Sequence, residues 1–164
     1  MADLPEYVID RVFDAPLPLV WRAWTDPELL SRWYGPGVET IIHEYDLRPG
    51  GVWRNEMKWG ENSDLSKMAF VEVVPEKKIV WHHSSTDKDW NIATNPMMPD
   101  WPKVLLTVVT FEEQAGKTRV RLTQTPMDAS DAEIACFANM MAGMDKGWGS
   151  GFAIIEEILG ELQA

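Results

Sequence analysis

Three polar side chains, Asn55, Glu72 and His83, could do chemistry in the predicted interior of this chain. Asn55 lies on the apolar face of an alternating strand, and His83 shares a face with Trp81 in a later strand. Either side chain could hydrogen-bond a ligand, although a buried histidine is more often satisfied by a backbone carbonyl. Glu72 is expected to face inwards if Phe70 does, and a carboxyl group among apolar side chains is suited to general acid–base catalysis.

No recognised catalytic or metal-binding pattern includes these residues. His43, His82 and His83 lack metal-ligand spacing, because adjacent residues of a strand point to opposite faces. The chain has no Gly-x-Ser-x-Gly turn of the kind that carries a hydrolase nucleophile. The glycines at 147–151 follow no strand and do not match a dinucleotide fingerprint. The sequence therefore predicts no metal, no cofactor and no assigned catalytic residue, and a non-enzymatic role is favoured.

The residue types favour a largely apolar ligand site. Tryptophan is amphipathic and suited to lining pockets, and methionine adapts to irregular surfaces. The alternative left open is that these side chains meet and fill an ordinary core. The predicted ligand-binding residues are large and share the inward faces of strands and helix: Trp53, Asn55, Met57, Trp59, Phe70, Trp81, His83, Met141, Met144 and Trp148.

Seven strands and three helices are predicted to position these residues. Two short helices follow the first strand, the second beginning at a capping box formed by Thr25 and Glu28. Short turns join most later strands, which indicates an antiparallel sheet. The long connection 86–102 contains Trp90 and Trp101 and is expected to pack as a lid. The predicted strands are 7–13, 38–47, 52–59, 68–74, 78–85, 104–112 and 118–125.

One long amphipathic helix is predicted over 130–164, with a capping box at Ser130 and a break near Gly149 as the alternative. Gly143, Gly147 and Gly151 recur every fourth residue and form a stripe without side chains. Such a stripe lets another backbone or a ligand come close, so Gly147→Leu is expected to damage folding. Met144→Ala is expected chiefly to enlarge the pocket.

Length and charge limit the possible functions. The 164 residues suit a single domain over 1–164, and the net charge of −11 argues against nucleic acid and anionic membrane surfaces. No apolar run approaches the roughly 20 residues of a membrane span. The single cysteine, Cys136, and the polar N-terminus favour a cytoplasmic protein. The chain is expected to be a monomer or a homodimer.

Five motifs in order resemble the activator of Hsp90 ATPase homologue-like family, within the START, polyketide-cyclase and Bet v 1-like superfamily. They are RVFDAP at 11–16, VWRAWTDP at 20–27, WYGP at 33–36, RPGG at 48–51 and GMDKGW at 143–148. The resemblance implies an α+β helix-grip fold, in which a curved antiparallel sheet grips a long C-terminal helix around an apolar cavity.

Three functions are consistent with this sequence. Binding of a small apolar, aromatic or lipid-like molecule in the cavity is favoured. A cyclase- or hydrolase-type enzyme using polar groups of the same cavity is the first alternative. A chaperone contact that stimulates an ATPase, as the family name suggests, is the second.

Overall fold

The structure is a computed structural model that describes residues 4–164. No helix in this part of the chain is both long enough and apolar enough to cross a membrane. In chain order its elements are β1 (Tyr7–Phe13), α1 (Leu17–Thr25), α2 (Pro27–Trp33), β2 (Glu39–Tyr45), β3 (Val52–Trp59), β4 (Asn62–Val74), β5 (Lys78–Ser85), β6 (Val104–Gln114), β7 (Lys117–Pro126) and α3 (Asp131–Gln163).

One antiparallel sheet contains the seven strands in the order β1-β7-β6-β5-β4-β3-β2. The first two strands lie at opposite edges, and α1 and α2 connect them. Helix α3 approaches β1, β7, α1 and α2. The predicted α+β fold is confirmed: a seven-stranded sheet, a long C-terminal helix and two short helices after the first strand.

Strand β4 is longer than its sequence suggests. The polar composition of 60–66 predicts a connection, but β4 already begins at Asn62, which pairs with Trp59 of β3. Pairing of β3 with β4 satisfies backbone hydrogen-bonding groups whatever the side chains are. The polar stretch is therefore the first part of a strand.

A β-bulge in β4 overturns the expectation that Glu72 faces inwards. Phe70 is 3% exposed, but the register shifts between Phe70 and Glu72. Because a bulge inserts an extra residue, the side chains that follow it change face. Val71 is exposed, and the Glu72 carboxylate lies 3.3 Å from the Lys78 ammonium group on the outer surface. Glu72 is thus excluded as an interior acid or base.

The junction between α1 and α2 differs from the prediction by one residue. Thr25 ends α1, and its hydroxyl donates to the carbonyl of Trp21. Asp26 caps α2 instead, since its carboxylate accepts the backbone N–H of Glu28 at 3.0 Å. The predicted capping box at Thr25 is therefore wrong, although the start of the helix is placed correctly.

Helix α3 runs without a break, so the alternative of two helices is wrong. Its capping box is confirmed, with the Ser130 hydroxyl accepting the Glu133 N–H and the Glu133 carboxylate accepting the Ser130 N–H. Its buried face packs into the core, where the rings of Phe152 and Phe13 lie 5.5 Å apart.

The glycine stripe of α3 has two different roles. A Cβ added at Gly151 would lie 3.1 Å from the Trp33 carbonyl oxygen, so the end of α2 does approach the helix closely there. A Cβ added at Gly147 would meet nothing within 4 Å. The close approach on which the expected effect of Gly147→Leu depended is therefore absent at Gly147, because α2 contacts the helix one turn further on, at Gly151.

Candidate functional site

A pocket of about 280 Å³ lies between α3, the end of α2 and the inner face of the sheet, and it is partly open to solvent. It exists because α3 approaches the sheet at β1 and β7, whereas residues from β3 and β5 face the gap. Its lining consists of Trp33, Tyr34, Gly35, Pro36, Met57, His83, Trp101, Leu105, Gln124, Met144, Gly147, Trp148 and Gly151.

Aromatic rings from α2 and α3 form one side of this pocket, which we call the aromatic wall (Trp33, Tyr34 and Trp148). The Trp148 ring centroid lies 6.3 Å from that of Trp33 and 5.8 Å from that of Tyr34, both within the range of favourable aromatic pairs. Behind the wall, Trp24 packs on Trp33 at 4.6 Å. The wall is therefore held rigidly by the core.

The opposite side carries the polar groups and belongs to the sheet. Gln124 of β7 is 4% exposed, and its amide nitrogen donates to the Thr107 hydroxyl at 3.1 Å. Its amide oxygen accepts the indole N–H of Trp148 at 3.3 Å. Gln124 thus fixes the orientation of the Trp148 indole at the point where the sheet meets the aromatic wall.

His83 is the second polar group on the sheet side. It sits on β5 between Met68 of β4 and Leu105 of β6. Burial among these apolar neighbours lowers the pKa of His83 to about 4, so the imidazole is neutral at physiological pH. Its Nδ1 atom is buried without a hydrogen-bond partner among residues 4–164. A neutral imidazole with unused hydrogen-bonding capacity thus faces the pocket.

The ten sequence-predicted ligand residues divide into four that line the pocket, four that are buried core and two that belong to neither set. Met57, His83, Met144 and Trp148 line the pocket. Trp53, Asn55, Phe70 and Trp81 lie behind it as fully buried core, with the Trp53 and Trp81 rings 5.9 Å apart. Met141 packs partly against the core, and Trp59 lies at the end of β3.

Asn55 has a structural partner in this second group. Its side-chain oxygen accepts the Trp53 indole N–H at 3.3 Å, and Asn55 is 0% exposed. Its amide nitrogen, like the Trp81 indole nitrogen, is buried without a hydrogen-bond partner in the part of the chain that the structure describes. The polar groups on the inner faces of β3 and β5 are therefore incompletely paired.

The predicted ligand-binding residues include none from α2 or from the segment directly after it. Trp33, Tyr34, Gly35 and Pro36 line the pocket because α2 ends beside Gly151 of α3. Gln124 carried a usable signal, since it alternates with Val120 and Leu122 on the inner face of β7. A polar residue on such a face is a candidate site residue.

A carboxyl group also faces inwards near the pocket, at a position not expected to be in a strand. Asp64 of β4 pairs with Met57 of β3, and it alternates with the buried residues Ser66 and Met68. Burial raises the pKa of Asp64. Burial also raises the pKa of the Tyr34 hydroxyl, and the Asp64 carboxylate adds to that effect. Asp64, and not Glu72, is thus the β4 carboxyl group that faces inwards, although it does not line the pocket itself.

The connection 86–102 reaches the pocket at its C-terminal end only. Trp101 lines the pocket and packs on Phe137 of α3 with ring centroids 5.6 Å apart. Trp90 instead covers the outer face of the sheet, where the Arg54 guanidinium lies 5.6 Å from the centre of its ring. Of the two tryptophans in the expected lid, Trp101 therefore contacts the pocket and Trp90 does not.

Among residues 4–164, no group of three or more His, Cys, Asp or Glu side chains is arranged to hold a metal ion. The polar side chains among the lining residues include a neutral histidine, a glutamine and a tyrosine. This arrangement is suited to orienting a small organic molecule.

Comparison with known proteins places this fold in a family. Residues 14–160 match the model of the family described as activator of Hsp90 ATPase homolog 1-like protein, whereas no curated protein sequence matches. Protein Ms6760 from Mycobacterium smegmatis is 25% identical, with a TM-score of 0.78 and 96% of each chain covered.

Two further solved structures share the fold. Protein NE0264 from Nitrosomonas europaea is 27% identical, with a TM-score of 0.74, over 99% of this chain and 98% of that one. A protein from Arthrobacter aurescens is 22% identical, with a TM-score of 0.79, over 95% of this chain and 86% of that one. The chain belongs to the activator of Hsp90 ATPase homolog 1-like family, a family of START-like fold.

Proposed function

We propose that this protein binds a small, largely apolar aromatic molecule in the pocket between α3 and the sheet. The observation that carries the proposal is the aromatic wall facing a neutral, incompletely paired histidine across about 280 Å³. Small-molecule sites are typically concave and apolar, with a few polar groups that fix orientation.

The size of the pocket limits the ligand. Its 280 Å³ lies near the lower end of the range of about 300–1,000 Å³ typical of ligand pockets. A cavity of about 150 Å³ suffices for benzene. The pocket therefore suits a molecule of about two fused rings better than a long acyl chain.

Charge limits the ligand further. Within the described range 4–164, no lysine or arginine lines the pocket, and the Asp64 carboxyl group lies nearby on β4. An anionic ligand would lose its hydration without gaining a cationic partner. A neutral ligand is therefore favoured.

A pocket-filling variant tests this proposal. Gly147 lines the pocket, and a Cβ there meets nothing within 4 Å, so Gly147→Leu places a side chain in the ligand space without a backbone clash. Gly143→Leu, one turn earlier on the exposed surface, is the matched control. Both variants gain helix propensity.

Equilibrium dialysis with 2-acetylnaphthalene measures the bound ligand directly. The parent and Gly143→Leu are expected to bind one equivalent with similar affinity, and Gly147→Leu is expected to bind at least about tenfold more weakly, a loss of about 1.4 kcal/mol. Absence of binding by the parent, or equal binding by both variants, contradicts the proposal.

A cyclase- or hydrolase-type activity is a second candidate, favoured by the position of Asp64. A carboxyl group with a raised pKa beside a pocket is suited to proton transfer. Hydrolysis of 2-naphthyl acetate above background, lost in Asp64→Asn, supports this candidate, and its absence opposes it.

The family description also suggests a chaperone contact. Turnover of an Hsp90 ATPase with and without the protein tests that function, and an unchanged rate removes it.

A further inference from the structure

We propose that His83 donates a hydrogen bond from Nε2 to an acceptor oxygen of the ligand, which assigns the ligand to the neutral aromatic carbonyl compounds. The inference rests on the proposed function, because it specifies the chemistry of the same pocket. Aromatic ketones, aldehydes and quinones combine the ring that the aromatic wall accommodates with the oxygen that His83 requires.

The two imidazole nitrogens of His83 lie in different environments. Nδ1 is sealed from solvent without a partner, whereas Nε2 is not among the buried unpaired atoms and makes no hydrogen bond to residues 4–164. His83 lines the pocket, so Nε2 is the nitrogen that a ligand can reach.

The position of the imidazole proton follows from the neighbours. The ring is neutral and carries one N–H. Buried N–H groups without an acceptor are rarer than incompletely paired acceptors. Two other unpaired groups on the same inner face, Asn55 Nδ2 and Trp81 Nε1, are N–H donors. A further N–H at Nδ1 would add a third donor without an acceptor, whereas a lone pair at Nδ1 would not. The proton therefore resides on Nε2, which is a donor towards the pocket.

The other polar side chains of the pocket are also consistent with a hydrogen-bond acceptor on the ligand. The Gln124 amide oxygen already accepts the Trp148 N–H, whereas its amide nitrogen uses one of two hydrogens for Thr107. The spare hydrogen is a second donor on the sheet side. The Tyr34 hydroxyl can both donate and accept, so it does not oppose this polarity.

A matched pair of ligands tests the assignment. In 2-isopropenylnaphthalene a CH₂ group replaces the carbonyl oxygen of 2-acetylnaphthalene, so shape is kept and the acceptor is lost. Dissociation constants of both compounds are measured by equilibrium dialysis for the parent, His83→Leu and His83→Gln. The ratio of the two constants in each protein is the readout, since it cancels general effects on the pocket.

In each protein, the dissociation constant of 2-isopropenylnaphthalene is divided by that of 2-acetylnaphthalene. This ratio is expected to be about tenfold larger in the parent than in His83→Leu, which corresponds to about 1.4 kcal/mol. His83→Gln, which keeps an N–H donor, is expected to retain part of this preference. Equal ratios in the parent and His83→Leu overturn the inference while leaving the proposed function intact. Failure of the parent to bind either compound contradicts the proposed function itself.

Nitrogen-15 chemical shifts of the His83 ring provide a readout that does not depend on affinity. A protonated Nε2 and an unprotonated Nδ1 are expected at about pH 7, with the Nε2 resonance shifting when 2-acetylnaphthalene is added. A proton on Nδ1 overturns the inference, because Nε2 would then be an acceptor.

Discussion

Gly151 tests the contact between α2 and α3 that encloses one end of the pocket. A Cβ at this position would lie 3.1 Å from the Trp33 carbonyl oxygen and 3.2 Å from its ring atom Cε3. Trp33 cannot easily move, because it is 1% exposed and its indole N–H donates to the Ala23 carbonyl at 2.8 Å. Overpacking of this kind costs about 1–3 kcal/mol.

Gly149→Ala is the matched control for Gly151→Ala, since a Cβ at Gly149 meets nothing within 4 Å. Both changes gain about 1 kcal/mol of helix propensity. The control should therefore be more stable than the parent, and Gly151→Ala should be about 1–3 kcal/mol less stable than the control.

Urea unfolding followed by circular dichroism measures the difference between these two variants. At about 2–4 °C per kcal/mol for a domain of this size, thermal unfolding should also separate them by several degrees. Equal stability of Gly151→Ala and Gly149→Ala would show that α2 does not contact the helix tightly and would refute the reasoning.

Two further predictions concern the carboxyl group near the pocket and the start of α3. Because burial raises the pKa of Asp64, the folded state holds this proton more tightly than the unfolded state, and the associated stability is lost as pH rises above the unfolded value of about 3.9. Asp64→Asn should therefore gain stability relative to the parent between about pH 3 and pH 7 in urea titrations, and a relative loss would contradict the assigned burial. Ser130→Ala should lower the free energy of unfolding by about 1 kcal/mol through loss of the capping box, whereas Ser150→Ala on the exposed face should change it by less than about 0.5 kcal/mol; similar effects of both changes would show that the cap contributes little.

Local patterns predicted much of the fold. Strand β3 has its predicted bounds at Val52 and Trp59, because the charged residues Arg54, Glu56 and Lys58 alternate with the inward-facing residues from Trp53 to Trp59. The start of α3 was also accessible, because the capping box at Ser130 is formed by residues close in sequence. Features of this kind depend on neighbours in the chain.

Features that depend on distant partners were not accessible from the sequence. The bulge beyond Phe70 turns Glu72 outwards, and the early start of β4 turns Asp64 inwards. Both result from pairing with neighbouring strands. The sequence consequently pointed to Glu72, and not to Asp64, as the inward-facing carboxyl group of β4.

The residues that line the pocket could be predicted only in part, because the lining also depends on elements that are distant in the sequence. Met57, Met144 and Trp148 were identified by their inward periodicity, and they do line the pocket. Periodicity gives the face of an element but not how far the opposite element lies from it. Trp53 and Trp81 share that inward side, yet other rings cover them completely.

A titration of the indole N–H resonances with 2-acetylnaphthalene tests the central claim most directly. Trp101 and Trp148 line the pocket, whereas Trp90 packs against Arg54 on the outer face and Trp21 packs on Phe111. Saturable shifts are predicted for Trp101 and Trp148, with Trp21 and Trp90 unchanged. No saturable shift, or shifts confined to Trp90, would contradict binding in the pocket.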